Sequence, residues 1–232
     1  MSGDSKWVPL ECNPEVMTKF VRALGMPPEW SFVDVFGLEP ELLSMVPTPV
    51  AAVLLLFPYN QSYVDYVEEK SKEIEESGQL VSDSVYFMKQ TIKNACGAVA
   101  LIHSLANCRD LVQLPDSPLK NFLDATLPLN PGERGAYLEE CAAIATVHEE
   151  FAQKGQTEAP SADEKVNLHF ICLAKVDGCI YDLDGRKPFP INCGPTTDET
   201  FLLDASKVCK DYIARDPENL NFGVAALVLE DN

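Results

Sequence analysis

Apolar residues recur at helical spacing in some stretches of this chain and run almost unbroken in others, and the two patterns alternate. Asn13-Pro14 opens the first helix as N-cap and first residue. Val16, Phe20 and Leu24 form its apolar stripe and Gly25 closes it. Residues 31–36 and 51–57 are predicted strands, the second apolar on both faces and therefore central in a covered sheet. A charged helix is predicted over 63–76, ended by Ser77-Gly78, and an amphipathic one over 98–107. Further helical patterns cover 119–127 and, as a single helix behind Asn130-Pro131, 133–151.

The pattern then lapses. Residues 152–164 are without periodicity and poor in apolar groups, which predicts a long mobile loop, the kind that usually has a function. A hairpin follows, 166–176 against 179–184, joined by Asp177-Gly178. A helix over 198–214 and a strand over 222–229 end the chain. Mixed helices and strands of this kind imply an α/β or α+β fold, and 232 residues suit one domain, 1–232.

Composition narrows the function classes. A formal net charge of −18 argues against nucleic acid and anionic membranes and points either to a basic partner or, with equal weight, to a surface that only keeps the protein soluble. The first seven residues hold no apolar h-region, and the apolar run 50–57 is too short to span a bilayer, so a soluble, cytoplasmic protein is expected. Eight cysteines show no CxxC pair and no metal-ligand spacing; free thiols are expected, with no metal and no cofactor.

One of those cysteines has a special address. Cys96 stands at the opening turn of the 98–107 helix, where unpaired backbone N–H groups and the helix dipole favour a thiolate. A cysteine nucleophile needs a base, and three histidines are available. His103 sits seven residues along the same helix, about 10 Å away along the axis, and is read as a packing or surface residue. His148, beside Glu149 and Glu150, reads as a solvated charge pair. That leaves His169. If Asp177-Gly178 is the turn, Val176 pairs with Cys179 and Ile171 lies opposite Asp184. His169 and Asp184 then share a face as diagonal neighbours about 7 to 8 Å apart. Asp182 shares that face but lies farther from the histidine. A base oriented by a carboxylate is the logic of a catalytic triad. Gln90, six residues before Cys96, has a side-chain amide suited to an oxyanion, though alone it says little.

Gln90 to Gly97 (QTIKNACG), preceded by Val85-Tyr86-Phe87-Met88-Lys89, together with Leu168-His169-Phe170 and Leu183-Asp184-Gly185-Arg186-Lys187-Pro188-Phe189-Pro190, resembles the ubiquitin carboxyl-terminal hydrolases, the UCH family. The likeness is strongest to the short isozyme L3 type and extends from Trp7-Val8-Pro9-Leu10-Glu11 to the final strand. It implies a papain-like cysteine protease core, a central, mostly antiparallel sheet flanked by helices, a knotted backbone, and an active-site crossover loop at about 152–167. By this resemblance Cys96 is the nucleophile, His169 the general base and acid, Asp184 its orienting carboxylate and Gln90 the oxyanion donor.

The implied partner is ubiquitin, whose basic C-terminal tail suits an acidic enzyme, with NEDD8 kept as an alternative and a monomer as the expected state. Pro9, Leu10 and Glu11, Asp34, Leu168 and Glu218 are the expected ubiquitin contacts. An acidic family position beside Glu218 falls here on Asn219, a departure that bears on tail recognition. The larger relatives' C-terminal extension is expected to be absent, since the chain stops just after its last predicted strand. The implied reaction removes small adducts or short peptide extensions from ubiquitin's terminal glycine. A ubiquitin-holding protein with incidental hydrolysis is the alternative from another class.

Overall fold

The computed structural model describes residues 5–156, 160–164 and 166–230. The first four residues, positions 157–159 of the predicted long loop, position 165 and the last two residues lie outside them.

Six strands form one antiparallel sheet: β1 (Trp30–Asp34), β2 (Val50–Pro58), β3 (Leu168–Val176), β4 (Cys179–Leu183), β5 (Ile191–Pro195) and β6 (Gly223–Leu229), in the order β1-β6-β2-β3-β4-β5. Strand β2 lies inside the sheet, as its two-sided apolar character requires. Ala52 and Leu54 join the larger core, while Val53 and Leu55 join a second one on the opposite face. The larger core holds α1 (Pro14–Ala23) and α4 (Cys96–Asn107); the second is closed by α3 (Gln61–Ser77) and α8 (Phe201–Ala214). Helices thus cover both faces.

Local chemistry sets the helix starts. Asn13 Oδ1 accepts the Glu15 and Val16 N–H groups, Asn60 Oδ1 accepts that of Tyr63, and Ser117 Oγ caps α5 (Pro118–Thr126). Two short elements escape the periodicity altogether: α2 (Pro40–Leu43), a single turn, and the edge strand β5, whose Gly194 and Pro195 do not read as strand.

The helix predicted over 133–151 is two helices, α6 (Pro131–Glu140) and α7 (Ala142–Ala152), broken at Cys141, whose ψ of 84° is not helical. The break lets α7 lie along α1. That packing also overturns the solvated reading of His148, which is buried with its ring centroid 4.2 Å from that of Trp7 and edge-on to Phe20. His103 is a packing residue, fully buried, stacked on Phe87 and accepting the Met88 N–H at Nε2 (3.0 Å).

Burial holds both imidazoles neutral, pushing each down to about 4 from 6.5. A depressed histidine pKa means stability fully present above the unfolded value and lost as pH falls through 6.5 toward 4. Each is expected to cost about 2 kcal/mol of stability by about pH 5. Urea midpoints at roughly pH 7 and pH 5 check this. His148→Leu should halve the loss, and an unchanged midpoint would refute it.

Candidate active site

Helix α4 packs along β3, and this packing brings together residues distant in sequence. Cys96 is the first residue of α4. The turn before it is made by Asn94 in the left-handed region (φ 64°), and the N-cap, Ala95, supplies no side-chain acceptor. The first N–H groups of the helix therefore stay uncapped by any side chain beside the sulfur. Gly97 gives the helix its approach: a Cβ there would stand 3.0 Å from that of Leu10.

The hairpin follows the predicted register, Val176↔Cys179 through Cys172↔Leu183, with Asp184 one residue past the ladder. His169 and Asp184 are both fully buried, and His169 Nε2 meets Asp184 Oδ1 at 2.6 Å. The carboxylate accepts two further bonds, the Arg186 backbone N–H at Oδ1 (2.9 Å) and the Tyr63 hydroxyl at Oδ2. Burial alone would raise Asp184, yet His169, Lys187 and the Tyr63 hydroxyl hold it well below the usual carboxylate range. An ionised carboxylate places the shared proton on Nε2, which leaves Nδ1 for another partner. Nδ1 meets full hydrogen-bond geometry with no group among the described residues, and Cys96 is the other side chain whose interaction raises His169.

Burial opposes charge on both His169 and Cys96, and in each the surrounding interactions outweigh it. His169 is raised to about 9, against desolvation, by Asp184 and then by Cys96. The Cys96 thiol is lowered, against desolvation, by His169, a backbone hydrogen bond from Phe170 and the charge of Arg186. The Arg186 guanidinium lies over the Tyr59 ring (4.3 Å), and that ring packs edge-on to His169. Both shifts favour a thiolate beside an imidazolium. Asp182 takes no part: Lys187 and Tyr212 engage its side chain instead.

Gln90 lies in the extended segment ahead of α4. Its backbone N–H donates to Gly185 O (2.9 Å), and its Nε2 donates to Ile92 O (3.1 Å), leaving a second amide hydrogen. The approach depends on Gly185, where a Cβ would meet Gln90 N at 2.8 Å.

Cys96 opens into a mostly apolar cavity of about 280 Å³, which Pro9, Leu10, Glu11 and Leu168 also line. Gly155, Pro160 and Val166 of the long loop form part of its wall. The loop's described residues are tied down: Gln156 N–H donates to Glu11 Oε2 (2.6 Å), Asn94 Nδ2 to Ala162 O (3.0 Å), and Lys6 pairs with Asp163. Asp34 and Glu218 are exposed and are not among the lining residues, although the charge of Asp34 reaches Cys12, which is. Asn219 turns its Oδ1 back onto Asn221. A larger depression of about 470 Å³ around the β3–β4 turn shares no residue with this site.

Tyr63, Tyr59, Arg186 and Lys187 surround the pair without having been singled out by the sequence. Tyr63 was legible only as the first residue of a charged helix. Among the described residues no cluster of three His, Cys, Asp or Glu is arranged to hold a metal, and no helix is long and apolar enough to cross a membrane.

Residues 7–214 match the model of ubiquitin carboxyl-terminal hydrolase, family 1. A ubiquitin carboxyl-terminal hydrolase of Drosophila melanogaster is 48% identical over 95% of this chain and 96% of its own length. Human ubiquitin carboxyl-terminal hydrolase isozyme L1 is 45% identical over 94% and 96%. Among solved structures, the Trichinella spiralis UCH37 catalytic domain bound to ubiquitin vinyl methyl ester superposes with a TM-score of 0.74 at 26% identity, covering 98% of this chain and 97% of that one.

Proposed function

The chain belongs to ubiquitin carboxyl-terminal hydrolase family 1, a family of cysteine peptidases, and from that premise we infer a thiol hydrolase that releases small adducts or short peptide extensions from the C-terminal glycine of ubiquitin. The observation that carries this reading is the opening of Cys96, whose thiol is lowered by a His169 bound to the Asp184 carboxylate, into the cavity lined by Pro9, Leu10, Glu11 and Leu168.

In this reading the Cys96 thiolate attacks the carbonyl carbon of the terminal glycine. The oxyanion is held by the Cys96 backbone N–H and the second amide hydrogen of Gln90. His169, protonated at Nδ1, gives that proton to the departing amine or thiol, and a thioester remains. His169 then takes a proton from water, hydroxide adds to the thioester, and the sulfur leaves as thiolate. Asp184 keeps Nε2 protonated throughout, which directs the exchangeable proton to Nδ1.

The narrow apolar cavity suits an extended tail ending in two glycines, and the surplus of acidic side chains suits the arginines ahead of them. Asp34 and Glu218 are assigned to this basic segment and Pro9, Leu10, Glu11 and Leu168 to the ubiquitin chain beside the site. With Asn219 engaged in its own turn, that position contributes no charge, and NEDD8 is retained as a second substrate for direct comparison. We place the protein in the cytoplasm, supported by its eight free cysteines, which suit a reducing compartment, and take it to act as a monomer.

Incubation with ubiquitin vinyl methyl ester is expected to give one covalent adduct, mapped to Cys96 by peptide mass spectrometry and abolished in Cys96→Ala. Labelling elsewhere, or none while a fluorogenic ubiquitin amide is still cleaved, would overturn the assignment.

A further inference from the structure

Asp184 accepts three hydrogen bonds, and the one at Oδ2 comes from outside the residues assigned above. Tyr63 supplies it from the first turn of α3, on the far side of the sheet from α4. Several independent contacts fix that phenol. Its backbone N–H is the one Asn60 caps (3.0 Å), its ring packs edge-on against Phe57 at 4.7 Å, and the Lys187 ammonium lies 5.9 Å from its centroid. Tyr63 is buried and held well above its ordinary value, chiefly by desolvation and by Asp184 and Asp182, so it stays a protonated donor at any working pH.

We propose that Tyr63 is a positioning residue for the hydrolysis. Its hydroxyl fixes the rotation of the Asp184 carboxylate, and through Asp184 it sets the orientation and basicity of His169. The proposal rests on the Cys96–His169 reading given above.

A carboxylate held at Oδ1 alone is free to rock about its Cβ–Cγ bond and to present either oxygen to the imidazole. A donor at Oδ2 removes that freedom and withdraws charge from the carboxylate. Loss of the hydroxyl leaves a buried carboxylate oxygen without a donor, so Asp184 becomes a stronger base and holds the imidazolium more tightly. Other groups bear on the same carboxylate: His169 from β3, Arg186 and Lys187 from the turn after β4, Tyr212 from α8, Lys89 from the segment ahead of α4, and His103 from α4 itself. Of these Tyr212 is engaged with Asp182 and His103 with the Met88 N–H, which leaves Tyr63 as the described donor to Oδ2.

The test compares Tyr63→Phe with Tyr66→Phe, a control that alters the neighbouring ring of the same cluster (6.4 Å) without touching Asp184. With a fluorogenic ubiquitin amide, Tyr63→Phe is expected to lower kcat about tenfold, the scale of one charge-assisted hydrogen bond felt in part at the transition state. KM should be unchanged. The alkaline limb of the kcat profile, which reports His169 losing its proton near 9, should move upward. The downfield proton resonance of His169 Nε2–H should shift in the uncomplexed protein too. A 2,3-difluorotyrosine installed at position 63, a stronger donor, should move the limb the other way. Tyr66→Phe should leave kcat, limb and resonance as they are.

The proposal is overturned if folded Tyr63→Phe keeps the wild-type kcat and alkaline limb, or if Tyr66→Phe reproduces its changes. It is also overturned if the fluorinated residue moves the limb in the same direction as phenylalanine. Failure of the wild-type protein to cleave or label would instead refute the hydrolase reading itself, and the uncomplexed resonance still reports on Tyr63 in that event.

Discussion

Cys96→Ala is expected to reduce cleavage of a fluorogenic ubiquitin C-terminal amide by about 10⁶-fold, and Asp184→Asn by about 10⁴-fold, the scale of nucleophile and orienter losses in catalytic triads generally. The two losses differ in kind. Alanine at 96 removes the atom to which the proposal assigns the thioester while leaving the cavity walls at Pro9, Leu10 and Leu168 in place, so ubiquitin affinity should persist. Asparagine at 184 keeps the side-chain shape and removes its charge. His169 then loses the principal influence that raises it against burial, and the alkaline limb should fall below about 9. That direction is opposite to the one expected for Tyr63→Phe, so the pair separates loss of the carboxylate's charge from loss of its donor. Steady-state kinetics over pH, with ubiquitin affinity measured by calorimetry, check both. Measurable turnover in Cys96→Ala would sink the nucleophile, and an unshifted limb in Asp184→Asn would sink the orienter.

Where the sequence spoke clearly, the signal was local or periodic. The Asp177-Gly178 turn fixed the hairpin register, and the period of two then carried His169 and Asp184 to one side of the sheet. Cys96 was legible for the same reason, since a helix start is written in a few adjacent residues. The meeting of thiol and imidazole was not, because it depends on α4 packing along β3, which no window of sequence contains. His148 shows the converse error. Its neighbours Glu149 and Glu150 describe a solvated end, while the decisive partners, Trp7 and Phe20, come from the other end of the chain. The break at Cys141 and the edge strand β5 went unread because neither carries an interrupted periodicity or an apolar run. The expected contacts divide in the same way: Pro9, Leu10, Glu11 and Leu168 gather at the cavity, while Asp34, the exposed last residue of β1, and Glu218, on an exposed turn, stand outside its lining.

Beneath the site lies a buried ion pair whose removal should cost more stability than any surface change. The fully buried Lys187 ammonium donates to Asp182 Oδ2 and to the Tyr212 hydroxyl (2.7 Å), and that hydroxyl donates to the same carboxylate oxygen (2.6 Å). The other oxygen, Asp182 Oδ1, has no hydrogen-bond partner among the described residues, so the charge there is already under-satisfied. Lys187→Met leaves Asp182 with only the Tyr212 hydroxyl, and such a broken buried pair typically costs about 3–5 kcal/mol. Replacing the whole cluster, Lys187→Met with Asp182→Leu and Tyr212→Phe, removes every polar atom together, and stability is expected to return to within about 1 kcal/mol of wild type. The same ammonium helps to keep Asp184 ionised and lies near the Tyr63 ring, so the single variant should lose activity along with stability. The triple variant should regain stability without regaining full activity, because the charge behind Asp184 is still missing. Denaturant midpoints at constant m-value, read beside kcat, decide the matter. Recovery of both together would show that Lys187 acts on the site through fold stability alone.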